Sequence, residues 1–104
     1  MMDNTNPPAP PTEDWQRFRA MVYGRVQGVN YRNETLLEAQ NLGLVGYVRN
    51  CWDRTVEVVA EGPGARLSQL LAWLHRGPSM ARVTRVDLTW QTPQHDMDDF
   101  EVRG

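Results

Sequence analysis

Apolar and polar residues alternate along residues 17–23, with Phe18, Ala20 and Val22 on one face and Arg17, Arg19 and Met21 on the other. That period of two predicts a half-buried strand. The period then changes. Tyr31, Thr35, Ala39 and Leu42 fall within an arc of about 80° at ~100° per residue, with Leu36 beside them, which predicts a helix lying on a sheet. Gly43 can close this helix in a left-handed conformation while Leu44 folds back on its last turn. Residues 45–51 and 55–61 read as two further strands, the second with Val56, Val58 and Ala60 facing inward. Asp53 and Arg54 form the turn between them. A type I′ turn needs positive φ at both central residues, so Arg54 implies either local strain or a longer loop, and the longer loop is the expectation.

Pro63 marks the start of a second helix, in which Leu67, Leu70, Leu71 and Leu74 recur at i, i+3, i+4 and i+7, and Gly77-Pro78 ends it. Residues 83–90 form a fourth strand with Val86, Leu88 and Trp90 on one face. Phe100 and Val102 suggest a short edge strand. The order β-α-β-β-α-β predicts a ferredoxin-like α+β sandwich, one mostly antiparallel sheet with two helices on one face. Ahead of it, residues 1–14 carry Pro7, Pro8, Pro10 and Pro11 among polar residues and read as a disordered Pro-rich tail, which leaves 15–104 as the domain. A proline-rich ligand for an aromatic groove is the alternative reading of that tail.

Between the first strand and the first helix stands Gly24-Arg25-Val26-Gln27-Gly28-Val29-Asn30-Tyr31-Arg32. Gly24 and Gly28 permit positive φ or close approach, so successive N–H groups between them can curl around one anion. The helix N-terminus adds orphan donors and a partial positive charge. Arg32 falls in its first turn, where a guanidinium can grip two oxygens of one phosphate. The loop alone leaves two readings open, an anion cradle and a tight turn followed by a solvated arginine. In a right-handed βαβ unit the first two strands run parallel, so Asn50 comes to the same sheet edge as the loop. Its amide is a poor base, but it can hold a water molecule in one orientation.

The loop and a second segment, Leu42-Gly43-Leu44-Val45-Gly46-Tyr47-Val48-Arg49-Asn50, together resemble the acylphosphatase family. Its signature joins a Gly-x-Val-Gln-Gly-Val-x-Phe-Arg loop to a Leu-Gly-Leu-x-Gly-Trp-Val-Arg-Asn strand. The likeness runs on through Asp53, Val56-Glu57 and Gly77-Pro78 with Ala81 and Val83, over roughly residues 17–103. Tyr31 replaces the usual Phe, Tyr47 the usual Trp, and Arg54 the glycine of the usual Asp-Gly turn. Each tyrosine brings a hydroxyl that needs a partner.

The resemblance implies the ferredoxin-like fold and hydrolysis of small acylphosphates to carboxylate and inorganic phosphate. It implies Arg32 and Asn50 as the catalytic residues, with backbone N–H groups of Arg25, Val26, Gln27, Gly28, Val29 and Asn30 binding the phosphoryl group. Arg32 would neutralise its oxygens and Asn50 would hold the water that attacks in line. No metal, cofactor or covalent intermediate enters this scheme, and inorganic phosphate or sulfate would compete for the cradle. A catalytically silent anion-binding or regulatory module is the alternative, and the presence of both Arg32 and Asn50 favours the enzyme.

Composition narrows the field further. At 104 residues the chain is one domain, and its 40% hydrophobic content lies in short runs, none near the ~20 apolar residues a membrane span needs. No basic region followed by an apolar segment opens the chain, and Cys51 is the only cysteine, so a cytoplasmic monomer is the expectation. Two histidines and one cysteine, far apart, make a zinc site improbable. All eleven basic residues are arginine, which removes Walker A, Schiff-base and Ser-Lys chemistry together. Ser68 and Ser79 lie outside any Gly-x-Ser-x-Gly context. The net charge of −2 and the lack of exposed aromatics on the central strands argue against a nucleic-acid partner. The Arg25 side chain and Arg49 read as solvent-facing, Cys51 as a packing residue and His75 as a helix-end cation suited to the dipole. Trp52 either lines an entrance for the acyl group or packs half-buried in the hairpin, and the second is expected.

Overall fold

In the computed structural model, which describes residues 14–104, the elements follow in the order β1 (Trp15–Arg25), α1 (Tyr31–Asn41), β2 (Val45–Asn50), β3 (Val56–Pro63), α2 (Gly64–Arg76), β4 (Arg82–Gln91) and β5 (Phe100–Arg103). The tail expected over residues 1–14 lies, Asp14 apart, outside the described residues. The sheet order is β4-β1-β3-β2-β5. β1 is antiparallel to β3 and β4, β2 is antiparallel to β3, and β5 joins β2 in parallel at the edge. Because β1 and β2 both oppose β3, they run in the same direction with β3 between them. Their C-terminal ends therefore meet at one edge, which is where the site forms.

The core fills the space between the helices and one sheet face. Phe18, Ala20 and Val22 of β1, Val48 of β2, and Val56, Val58 and Ala60 of β3 are fully buried. They meet Leu67, Leu70 and Leu74 of α2 and Tyr31 and Ala39 of α1. Each fully buried leucine contributes roughly 1.5–3 kcal/mol of transfer free energy, so the α2 leucine stripe fixes that helix on the sheet. The Tyr31 hydroxyl finds its partner in the Leu74 carbonyl of α2 at 2.7 Å, and burial pushes its pKa upward. The end of α1 is a Schellman closure. The Gly43 N–H donates to Gln40 O and the Leu44 N–H to Ala39 O, both at 3.0 Å, and Leu44 turns inward.

Three expectations change. Arg54 is left-handed after all, with φ of 74°, and the loop is also longer than two residues. The Cys51 N–H donates to Thr55 O at 2.9 Å and the Arg54 N–H to Cys51 O at 3.1 Å, enclosing residues 52–54. Trp52 and Asp53 keep negative φ, so this is a type I turn closed by a left-handed residue rather than type I′. The Asp53 carboxylate holds it, accepting from the Thr55 N–H at 3.1 Å and hydroxyl at 2.6 Å, and those bonds depress its pKa. Trp52, expected to be half-buried, stands 97% exposed at the hairpin tip.

The third change concerns β3, which is buried on both faces. Opposite the helices, Glu57 accepts from Arg19 at 2.6 Å and Arg49 at 2.5 Å, so Arg49 is a paired charge rather than a merely solvated one. Glu61 accepts from Arg17 at 2.5 Å and from the N–H groups of Gln94 and His95 at 2.9 and 3.1 Å. Burial alone would raise both carboxyl pKa values, but these donors outweigh it and hold both below the usual range.

Candidate active site

The β1–α1 loop begins just past a β-bulge. The β1–β4 register shifts between Tyr23 and Gly24, leaving Thr84 of β4 without a partner, and Gly24 and Arg25 stay paired with Val83 and Arg82 before the chain leaves the sheet. Gly24 has φ of 123°, and a Cβ there would lie 2.0 Å from the Arg82 carbonyl oxygen, so no other residue fits. Val26 is buried and anchors the loop in the core. Gly28 at φ 74° and Asn30 at φ 68° then carry the chain round into α1. Asn30 is the N-cap residue, yet its side chain makes no capping bond. Its Nδ2 donates to Glu34 Oε2 at 3.3 Å, and its Oδ1 accepts from Asn33 Nδ2 at 3.1 Å.

The consequence is a run of unused donors. No backbone N–H of residues 26–33 finds an acceptor among the described residues, and the first helical bond is from Glu34 N–H to Asn30 O. Orphan donors in such a row, together with the positive end of a helix, attract an anion. They border a pocket of 140 Å³ lined by Val26, Gly28, Asn30, Tyr31, Arg32, Asn33 and Asn50. With a water taking up about 30 Å³, that volume holds a phosphoryl-sized group and a water beside it.

Arg32 and Asn50 thus meet in one pocket although they come from different elements. The Arg32 guanidinium makes one long hydrogen bond among the described residues, to the Arg103 carbonyl at 3.5 Å, and pairs with no carboxylate there. Asn50 closes β2, with its Oδ1 buried and without a partner. A buried acceptor left open in this way calls for a donor from outside the chain.

A family model described as acylphosphatase matches residues 18–102. The chain belongs to the acylphosphatase family. It is 47% identical over 88 residues to an acylphosphatase of Thermococcus kodakarensis, a match covering 85% of this chain and 96% of that protein. An acylphosphatase of Anaeromyxobacter dehalogenans is 43% identical over 90 residues, with 86% and 97% covered. Among solved structures, the acylphosphatase from Bacillus subtilis superposes with a TM-score of 0.83 at 31% identity, covering 86% of this chain and 99% of that one.

Within this acylphosphatase fold, Val26, Gly28, Asn30, Arg32 and Asn50 line the pocket, as the sequence positions them. Arg25, Gln27 and Val29 belong to the same loop but do not line it. The Arg25 side chain is exposed, as expected, and Gln27 turns the other way, its Nε2 donating to Cys51 O and Thr55 O at 2.8 Å each. Tyr31, read from the sequence as a packing aromatic, and Asn33 are the two lining residues outside the predicted set, and Asn33 was not singled out at all. The signal for it was its spacing of i+3 from Asn30 at a helix start, where side-chain amides bond to one another.

Proposed function

We propose that the chain hydrolyses the carboxyl–phosphate bond of small acylphosphates to a carboxylate and inorganic phosphate. The observation that carries this reading is the unbroken run of unpaired N–H donors over residues 26–33, six of whose residues line the pocket, beside the open Asn50 oxygen. The phosphoryl group sits against the loop N–H groups of residues 25–30, and Arg32 spreads its charge over two of the phosphoryl oxygens. Asn50 accepts a hydrogen bond from the attacking water through Oδ1 and so points an oxygen lone pair at phosphorus, while both protons of that water stay with the phosphate that forms. As the P–O(acyl) bond breaks, its electron pair leaves with the carboxylate, and the water oxygen becomes the fourth oxygen of phosphate. A carboxylate with a pKa near 4 needs no acid to depart, so positioning and charge stabilisation suffice. Asn33 sits where its amide adds to the same pocket wall.

Among the described residues no group of three His, Cys, Asp or Glu side chains is arranged to hold a metal ion. The proposed scheme uses no metal ion, and places the reaction in a cytoplasmic monomer whose competing ligands are inorganic phosphate and sulfate. Among the described residues no helix is long and apolar enough to cross a membrane. The test is hydrolysis of benzoyl phosphate with and without a strong chelator. Release of benzoate and phosphate at an unchanged rate in chelator, inhibited competitively by phosphate, is the expected result. Loss of turnover in chelator that Mg²⁺ restores would overturn the metal-free scheme. Phosphate binding without any hydrolysis would make the chain a silent anion-binding module.

A further inference from the structure

We propose that Gln27 is a positioning residue whose side-chain amide fixes the separation between the phosphate cradle and Asn50. The inference rests on the hydrolytic reading of the site. The two halves of that site come from strands that are not neighbours, since β3 lies between β1 and β2. Adjacent strands are about 4.8 Å apart, so the loop leaving β1 and the end of β2 stand roughly 10 Å apart across β3. The Gln27 side chain crosses this gap. Its NH₂ group spends one proton on Cys51 O and the other on Thr55 O, each at 2.8 Å.

Those two carbonyls occupy telling positions. Cys51 directly follows Asn50 and Thr55 directly precedes Val56, and Asn50 and Val56 form the last rung of the β2–β3 ladder. The hairpin itself is closed without Gln27, because Thr55 O accepts from the Cys51 N–H and Cys51 O from the Arg54 N–H. What the amide adds is a link from the loop to the rung that carries Asn50. Among the described residues no other hydrogen bond joins residues 25–30 to residues 50–55. In-line attack requires the water to lie on the axis of the breaking bond, and a displacement of about 1 Å can cost on the order of 100-fold in rate. Phosphate affinity, by contrast, depends on the cradle N–H groups, the Gln27 backbone N–H among them, and on Arg32. A substitution of the Gln27 side chain keeps all of these donors, while the side-chain amide itself bonds only to Cys51 O and Thr55 O.

The experiment compares Gln27→Leu, which removes both donors at similar volume, with Gln27→Asn, which keeps the amide but shortens the stem. Each is made in the parent and in an Asn50→Ala background. Folding is checked by circular dichroism, and benzoyl phosphate kinetics and calorimetric phosphate titration are run on all. In the parent background both variants should lose turnover by about 10-fold or more while phosphate affinity stays within about 3-fold. In the Asn50→Ala background the same substitutions should lower turnover by less than about 2-fold, because the residue through which Gln27 acts is gone. Additive losses in the two backgrounds, unchanged turnover in the parent background, or failure of both variants to fold would each overturn the assignment. A parent chain that hydrolyses no benzoyl phosphate would instead overturn the hydrolytic reading itself.

Discussion

Arg32 and Asn50 share one pocket but offer it different bonds, so substituting each should leave a different kinetic trace. Arg32→Ala removes a charge-assisted donor pair worth about 1.5–3 kcal/mol per bond, and phosphate affinity and turnover should fall together. Asn50→Ala leaves the row of loop donors intact. Phosphate should bind it within a few-fold of the parent while turnover falls by on the order of 100-fold, since only the water loses its hold. Calorimetric titration of phosphate beside steady-state kinetics on both variants checks this. Loss of phosphate binding in Asn50→Ala equal to that in Arg32→Ala would place Asn50 in the cradle instead. That the two residues meet was legible in the sequence because the strands of a βαβ unit run parallel, which brings their C-terminal ends to one edge, while their roles rest on the family resemblance. Gln27 and Trp52 were legible only in part. The Gln27 backbone belongs to the loop as read, but whether its amide faces the anion or the neighbouring hairpin depends on a gap across β3 that no local pattern encodes. Trp52 was expected to pack because tryptophan usually does. The three-residue loop instead lifts it to a tip where nothing can cover it.

At the scale of elements, β3 is where period-two reasoning falls short. Val56, Val58 and Ala60 face the helices as the alternation predicts, and the opposite residues should then face water. Glu57 and Glu61 are buried instead, because arginines on both neighbouring strands lie over them. Arg17 stands directly opposite Glu61 in the β1–β3 register and Arg49 opposite Glu57 in the β2–β3 register, while Arg19 reaches Glu57 diagonally. Each arginine taken singly reads as a solvated charge, and only the register reveals the pairs. A pH dependence follows. Both carboxyl groups have folded-state pKa values below their usual range, so their stabilising contribution is fully present above about pH 5. It is lost as pH falls through the unfolded value near 4.3 toward the depressed folded values. Urea unfolding should therefore give a plateau at neutral pH and a falling limb on the acid side. Glu57→Gln should lower the plateau, leaving Arg19 and Arg49 without their shared anion, and should flatten the acid limb. An acid limb unchanged by both Glu57→Gln and Glu61→Gln would assign the acid sensitivity to other carboxylates.

Over the whole molecule, the order of elements and the two-layer packing were legible because the apolar spacing changes cleanly between two and 3.6 residues. The placement of β5 was legible only as an edge. Its parallel pairing with β2 comes from the long connection after β4, which crosses beneath the sheet end and spends the Gln94 and His95 N–H groups on Glu61. The anion cradle is likewise a property of the whole fold. It combines a bulge set by β4, a helix start, an anchor in the core through Val26 and a pocket wall from β2. None of these coincide in the unfolded chain, so phosphate held in the proposed cradle would bind the native state alone and stabilise it by RT ln(1 + [L]/Kd), about 2.7 kcal/mol at 100-fold excess over Kd. In a domain of this size each kcal/mol moves the midpoint by roughly 4–8 °C, so the rise is readable by calorimetry. Phosphate and sulfate should both raise Tm in proportion to the logarithm of their concentration. The effect should persist in Asn50→Ala and shrink sharply in Arg32→Ala. Sodium chloride at matched ionic strength supplies the control, because general screening acts on every exposed charge, including those far from the cradle. If chloride reproduced the full rise, or if Arg32→Ala kept it undiminished, the anion would be acting on the surface at large and not on the donors of residues 26–33.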